Sequence, residues 1–240
     1  SYTSFFNSWN VLDLVGNTFL LFVFVVLSSL TVGISISIIT VRFNISYPKL
    51  FFTLSVLPLV IPSYIGALTY ISAFSSKGLY VQLFSNLGVA EISGIDGFFG
   101  SWLVLTLFTY PYVLLICSTA LRNLDSSVED AARSLGKNKF QIYTQVVVPR
   151  LKKPIIFSGL LVGLYVMSDF GAVSLMRYPT LTKAIYSYYE LKIDGDPVIF
   201  YSSLLIVMAL FISFIQRGTD LSKSSKSGTS TATCDMFDWT

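Results

Sequence analysis

The 240 residues include no histidine and two cysteines, and this narrows the available chemistry before any fold is considered. Without an imidazole there is no Ser-His-Asp or Cys-His nucleophile system. Cys117 lies in an apolar run and Cys234 in a polar tail, so the pair suits neither a zinc nor a haem site, and no disulfide is expected between them. Gly136-Lys137 lacks the first glycine and the hydroxyl of a Gly-x-x-x-x-Gly-Lys-[Ser/Thr] phosphate loop, so ATP hydrolysis is not expected in this chain. Two features remain. Asp169 is the single charge in an otherwise apolar stretch, where a carboxylate could titrate or offer oxygen to a hard cation. Glu129-Asp130-Ala131-Ala132 stands in a polar segment ahead of Gly136.

The elements that must position these residues are membrane helices. Hydrophobic residues make up 53% of the chain and charged residues 12%, about half the usual charged share of a soluble protein, and the mean hydropathy is +0.70. A bilayer core about 30 Å thick needs roughly 20 helical residues. Five stretches qualify: Leu14–Val41, Leu50–Ser76, Gly97–Leu121, Ile155–Met176 and Pro197–Gln216. The expected fold class is an all-α, polytopic transmembrane helix bundle of about five spans. Phe5, Phe6 and Trp9 suit the headgroup region, and the Ser/Thr-rich residues 218–240 read as a tail after a transmembrane domain at 1–217.

Twelve of the sixteen Lys/Arg fall in Arg42–Lys49, Arg122–Pro154 and Arg217–Thr240, which the positive-inside rule places in the cytoplasm. The N-terminus is then outside, and one helix preceding Ser1 is expected, as in a fragment. The net charge of +3 is small and its placement matters more than its sum; no nucleic-acid partner is expected. In the second stretch Pro58 and Pro62 each remove a backbone donor, so the helix should kink or break. Broken backbone at membrane depth survives when it is buried in protein or lines a wet cavity, and both a pathway-lining helix and a packing kink fit.

Arg122–Pro154 is long for a connection. It reads as a helix, a turn and a second helix, with acidic residues at the start, Gly136 as a stop needing positive φ, and Pro149 ending the second segment. Ala131 and Ala132 would leave a flat patch for another protein, with Leu135, Phe140 and Ile142 as apolar anchors and Arg133, Lys137 and Lys139 around them.

Asp130-Ala131-Ala132, three residues, Gly136, nine residues, Val146, one residue, Val148-Pro149 resembles the EAA loop of ABC importer permeases. The departure is Asp for the usual Glu at 130. The resemblance implies the ABC permease fold, six spans in a complete half, and a coupling helix including Glu129 that docks on a separate ATPase subunit. It further implies ATP and Mg on that subunit with no cofactor on this chain, a second permease half or second copy, an extracytoplasmic solute-binding protein, and a bacterial inner membrane. Leu57–Ala67, Thr109–Val113 and Ser168–Tyr178, continued by Lys183–Tyr186, resemble the N-terminal half of ferric-iron permeases. Pro58, Pro62, Tyr64 and Asp169 are then candidates for the translocation path, Asp169 lying about 21 Å from the cytoplasmic start of its helix.

With Tyr165 or Ser168, Asp169 could offer ferric iron a transient ligand. The structural alternative, a cap on the Gly171 backbone or a pair with Arg177, fits better, because one carboxylate cannot hold that ion. Permeases for thiamine, sulfate or polyamine, and a proton-coupled carrier titrating Asp169, are the alternatives.

Overall fold

The computed structural model describes residues 10–43, 47–75, 78, 96–124, 132–190 and 196–221. In chain order the helices are α1 (Val11–Arg42), α2 (Pro48–Val56) with the 3-10 turn Leu57–Val60, α3 (Ser63–Phe74), α4 (Gly97–Arg122), α5 (Lys139–Ile142), the π-helical turn Tyr143–Val147, α6 (Val148–Arg150), α7 (Lys152–Ser168), α8 (Gly171–Leu175), α9 (Leu181–Glu190) and α10 (Asp196–Leu221). Helices dominate because a backbone in hydrocarbon must satisfy its own N–H and C=O groups. Hydroxyls in the spans follow the same rule: Thr18, Ser37, Thr40 and Thr109 each donate to the carbonyl four residues back, at 2.6–2.7 Å.

Among the described residues, Val11–Arg42, Gly97–Arg122 and Asp196–Phe214 are long and apolar enough to cross a membrane singly, and the pair Pro48–Val60 and Ser63–Phe74, bent by 98°, would be a fourth. The expected fourth span, Ile155–Met176, is corrected. It divides at Asp169 and Phe170 into α7, of 17 residues, and α8, of five. At about 1.5 Å per residue α7 alone is roughly 26 Å long, at the lower limit for a crossing.

The core is α1 laid along α4. Ser29, Gly33 and Ser37 recur every fourth residue on the buried face of α1. The Ser29 and Thr109 hydroxyls are 2.8 Å apart, and Ser37 Oγ donates to the Leu114 carbonyl at 3.2 Å. Small residues let the two backbones approach, which in lipid replaces the hydrophobic drive between helices. Around this pair Leu21, Val25, Val104, Leu105, Val113, Cys117, Val162 and Val166 are buried together.

The two ends of the bundle are distinct. At one end Leu14, Leu181, Ala184, Tyr188 and Tyr201 form a cluster, and Thr18 Oγ1 accepts the Leu181 N–H at 3.0 Å. At the other, Leu121, Ala132, Ile142, Val147 and Leu151 pack against Ile38 and Val41. There Arg42 Nη2 donates to the Leu121 carbonyl at 3.2 Å, placing positive charge on the negative end of α4. The Arg122 guanidinium lies 5.6 Å from the Phe52 ring centroid.

A Cβ added at Gly33 would lie 2.5 Å from Val113 Cβ and 2.9 Å from the Tyr110 carbonyl oxygen, both on α4. Gly33→Leu is therefore expected to cost about 2–3 kcal/mol through overpacking. Gly16→Leu, at a position with nothing within 4 Å, is expected to leave unfolding unchanged. Thermal unfolding of the two variants in detergent compares them.

Candidate functional site

The two chain breaks meet. Pro58 sits in the 3-10 turn, whose tighter register points the Ser55 carbonyl at a residue with no N–H. Tyr110 Oη supplies the missing donor at 2.8 Å. Pro62 then precedes α3, and its carbonyl accepts the N–H groups of Ile65 and Gly66 at 3.0 and 3.2 Å. Ser63 is buried, while Tyr64 is half exposed. Gly171 lets this turn come close, since a Cβ there would lie 2.8 Å from Tyr64 Cβ.

Asp169 ends α7 and begins α8. Its N–H donates to the Tyr165 carbonyl at 2.9 Å, and its Oδ1 accepts the Ala172 N–H at 2.9 Å. Ser63 Oγ donates to its Oδ2, and Thr182 Oγ1 donates to its main-chain carbonyl at 3.0 Å. With 8% of its surface exposed, the residue is enclosed by these partners. The carboxylate caps Ala172, three residues on, where an N-terminal cap finds its donor, and not Gly171. The expected alternative pair with Arg177 is replaced as well: that residue is exposed on the turn after α8, at φ +57°. Ser168, named as a co-ligand, instead donates to the Tyr165 carbonyl of its own helix at 2.9 Å.

Three of the candidate path residues, Pro62, Tyr64 and Asp169, thus converge on one junction, with Pro58 one turn away. Ser63 and Thr182 join them without a sequence signal. Nearby, the Phe170 and Tyr186 rings are 4.2 Å apart and those of Tyr112 and Tyr165 are 5.9 Å apart. On α9, Lys183 has its ammonium pushed below the ordinary lysine range, by burial first and by the charge of Arg177 second. Among the described residues no three Asp, Glu or Cys side chains gather as a metal-binding group.

The loop is a second constellation. Glu129, Asp130 and Ala131 lie outside the described residues. Residues 132–134 are helical, and Gly136, at φ +78°, terminates them. Its N–H donates to the Arg133 carbonyl at 2.9 Å, and that of Lys137 to the Ala132 carbonyl at 3.2 Å, which together make a Schellman stop. Asn138 starts the next helix by a reciprocal exchange with Gln141: Asn138 Oδ1 accepts the Gln141 N–H at 2.9 Å, and Gln141 Oε1 accepts the Asn138 N–H at 3.0 Å. Asn-x-x-Gln is the capping-box pattern, legible in the sequence and missed there.

Pro149 takes a first-turn position of α6, which stops at Arg150, so the second segment ends within a residue of the proline and Leu151 separates it from α7. One expectation about this loop changes. Ala132 and Ile142 are 6% and 3% exposed, buried with Val147 against Leu121 and Leu151, so they do not form an outward patch. What faces outward is Leu135, at 80%, with Gly136, Val148 and Pro149. Val146 lies in the π-helical turn.

Comparison with known proteins follows the same lines. Residues 29–222 match the family model of the binding-protein-dependent transport system inner membrane component. The Fe(3+)-transport system permease protein FbpB 2 of Haemophilus influenzae is 30% identical over 203 residues, covering 84% of this chain and 36% of that protein. Sulfate permease 2, chloroplastic, of Chlamydomonas reinhardtii is 26% identical over 189 residues, covering 75% of this chain and 50% of its own length. This chain thus spans between about a third and half of these two relatives. A bacterial alginate ABC transporter, solved in complex with an alginate pentasaccharide-bound periplasmic protein, superposes with a TM-score of 0.71 at 16% identity, covering 95% of this chain and 84% of that one.

Removing the Asp169 carboxylate would leave the Ser63 hydroxyl and the Ala172 N–H buried without it. Asp169→Ala is expected to cost about 2–4 kcal/mol, and Asp169→Asn, which keeps an oxygen for Ala172, about half that. Unfolding midpoints in detergent, followed by tryptophan fluorescence, check the order.

Proposed function

The chain belongs to the family of inner-membrane components of binding-protein-dependent transport systems, and on that premise we propose that it moves ferric iron inward as the permease subunit of an ATP-binding-cassette importer. Family membership removes the proton-coupled carrier from consideration. The hydrolysing site belongs to a separate ATPase subunit, which holds ATP and Mg. A second permease half or second copy completes the pathway, and an extracytoplasmic solute-binding protein delivers the cargo.

The observation that carries the reading is the loop between α4 and α7. A Gly136 stop and an Asn138 start separate two short helical segments, and Leu135, just before the stop, is exposed. The inward faces of the loop, through Ala132, Ile142 and Val147, are bonded by packing to the ends of α1 and α4. A push on Leu135 and Pro149 is therefore delivered to the rigid helix pair. When two ATPase subunits close on ATP, their docked loops approach each other, and the bundle exchanges inward-open for outward-open packing. Glu129, Asp130 and Ala131 complete the docking surface. Pro58, Pro62 and Tyr64, at the break between α2 and α3, border the path.

Ferric iron is favoured by the 30% identity to the Haemophilus protein over the longest matched stretch of the two relatives. Sulfate is the second reading, supported by the Chlamydomonas relative at 26%. The orientation follows the Lys/Arg distribution, with the loop in the cytoplasm and residue 10 near the outer surface.

Gly136 needs a left-handed backbone, which a β-branched residue adopts only at a cost of about 1–2 kcal/mol. Gly136→Val is expected to lower uptake about tenfold and to reduce co-purification of the ATPase subunit, and undiminished uptake and association would remove the case for the loop. Radiolabelled iron and sulfate uptake, measured side by side in the same vesicles, decides the cargo: iron alone is expected to accumulate.

A further inference from the structure

We propose that Asp169 is a positioning residue that ties α9, at the Leu14–Tyr201 end of the bundle, to α3, so that the outer helix and the half-helix beside the path move as one while its contacts hold. The tie has three strands. Ser63, the first residue of α3, donates to Oδ2; Ala172, in α8, donates to Oδ1 at 2.9 Å; and Thr182, in α9, donates to the main-chain carbonyl at 3.0 Å. Tyr186 reinforces the third strand. It stands one turn beyond Thr182 on the same face of α9, and its ring lies 4.2 Å from that of Phe170, the residue after Asp169.

Both carboxylate oxygens already serve buried donors, so the carboxylate holds α3 and α8 to the end of α7 and is not left for a passing ion, while the main-chain carbonyl holds α9. The opposite face of α9 is fixed too. Leu181, Ala184 and Tyr188 pack with Leu14 and Tyr201, and the Leu181 N–H donates to Thr18 on α1. A displacement of α9 therefore reaches α3 through the Asp169 junction, where α7 ends and α8 begins. In the permease reading, on which only the second test below rests, a delivering protein that touches α9 from outside would act on the path through this junction.

The first test uses the full chain alone in nanodiscs and reads amide hydrogen exchange. Ser63→Ala is expected to accelerate exchange about tenfold across residues 169–175 and also across α9, as loss of a hydrogen bond to a charged group implies. Ser63→Thr, which keeps the hydroxyl, is expected to restore the slow rates. Thr182→Val asks the question from the other end, with faster exchange expected at residues 63–66, and it serves if Ser63→Ala fails to fold. Acceleration that stops at residues 169–172 and leaves α9 unchanged overturns the proposal.

The second test uses the assembled transporter and compares ATP hydrolysis with and without the solute-binding protein. Ser63→Ala and Thr182→Val are each expected to raise unstimulated hydrolysis several-fold and to shrink the stimulation. A wild-type stimulation ratio in both variants overturns the coupling. If the wild-type chain recruits no ATPase, it is the permease reading that fails, and the exchange experiment alone decides the tie.

Discussion

Water is absent from the hydrocarbon interior of a bilayer, so a backbone group that leaves the helical ladder must be met by another part of the protein or by a water-filled cavity. That constraint explains where this chain interrupts its helices and what stands at each interruption. Pro58 strands the Ser55 carbonyl, and a tyrosine from α4 reaches it. Asp169 interrupts the next span, and a serine from the other break, a backbone amide and a threonine from α9 gather on it. The Ser63–Asp169 bond joins the two breaks and locates the junction more firmly than hydropathy does.

Against this divided half stands an undivided one. α1 and α4 are continuous over 32 and 26 residues and approach closely enough that an added methyl at Gly33 would collide with the facing backbone. Serine and threonine hydroxyls bridge the two helices instead of facing lipid. The loop segment packs on the end of this stiff pair, while the junction lies beside it. The molecule thus separates a pair of long, closely packed helices from a part in which helices end and side chains hold the ends together.

Much of this was legible in the residues. The run lengths marked the first, third and fifth spans, because uncharged stretches of that size have no other stable solvent. Pro58 and Pro62 announced the break in the second, since a missing N–H is a local property. The division at Asp169 was not legible as a division: the residue read as a lone charge in a span, and what makes it a terminus is Ser63, more than a hundred positions away. Ala132 and Ile142 misled for a related reason. A small or apolar residue in a polar loop looks like a contact for a partner, and only the fold reveals that the ends of α1 and α4 already occupy that face. The Asn138–Gln141 box was available from spacing alone and went unread.

The wide turn at Tyr143–Val147 has an angular consequence. In an α-helix, successive side chains advance about 100°, so positions five apart point roughly 140° away from each other. Ile142 and Val147 are five apart, yet both are buried in one cluster with Leu151. The extra residue of the turn resets the phase, giving intervals of five and four in place of four and four. Under uninterrupted α phase, counting by fours from Ile142 would aim Arg150 into that apolar cluster. With the phase reset, Arg150, Lys152 and Lys153 all stay on the solvent side. One surplus residue thereby keeps the cationic collar out of the oil.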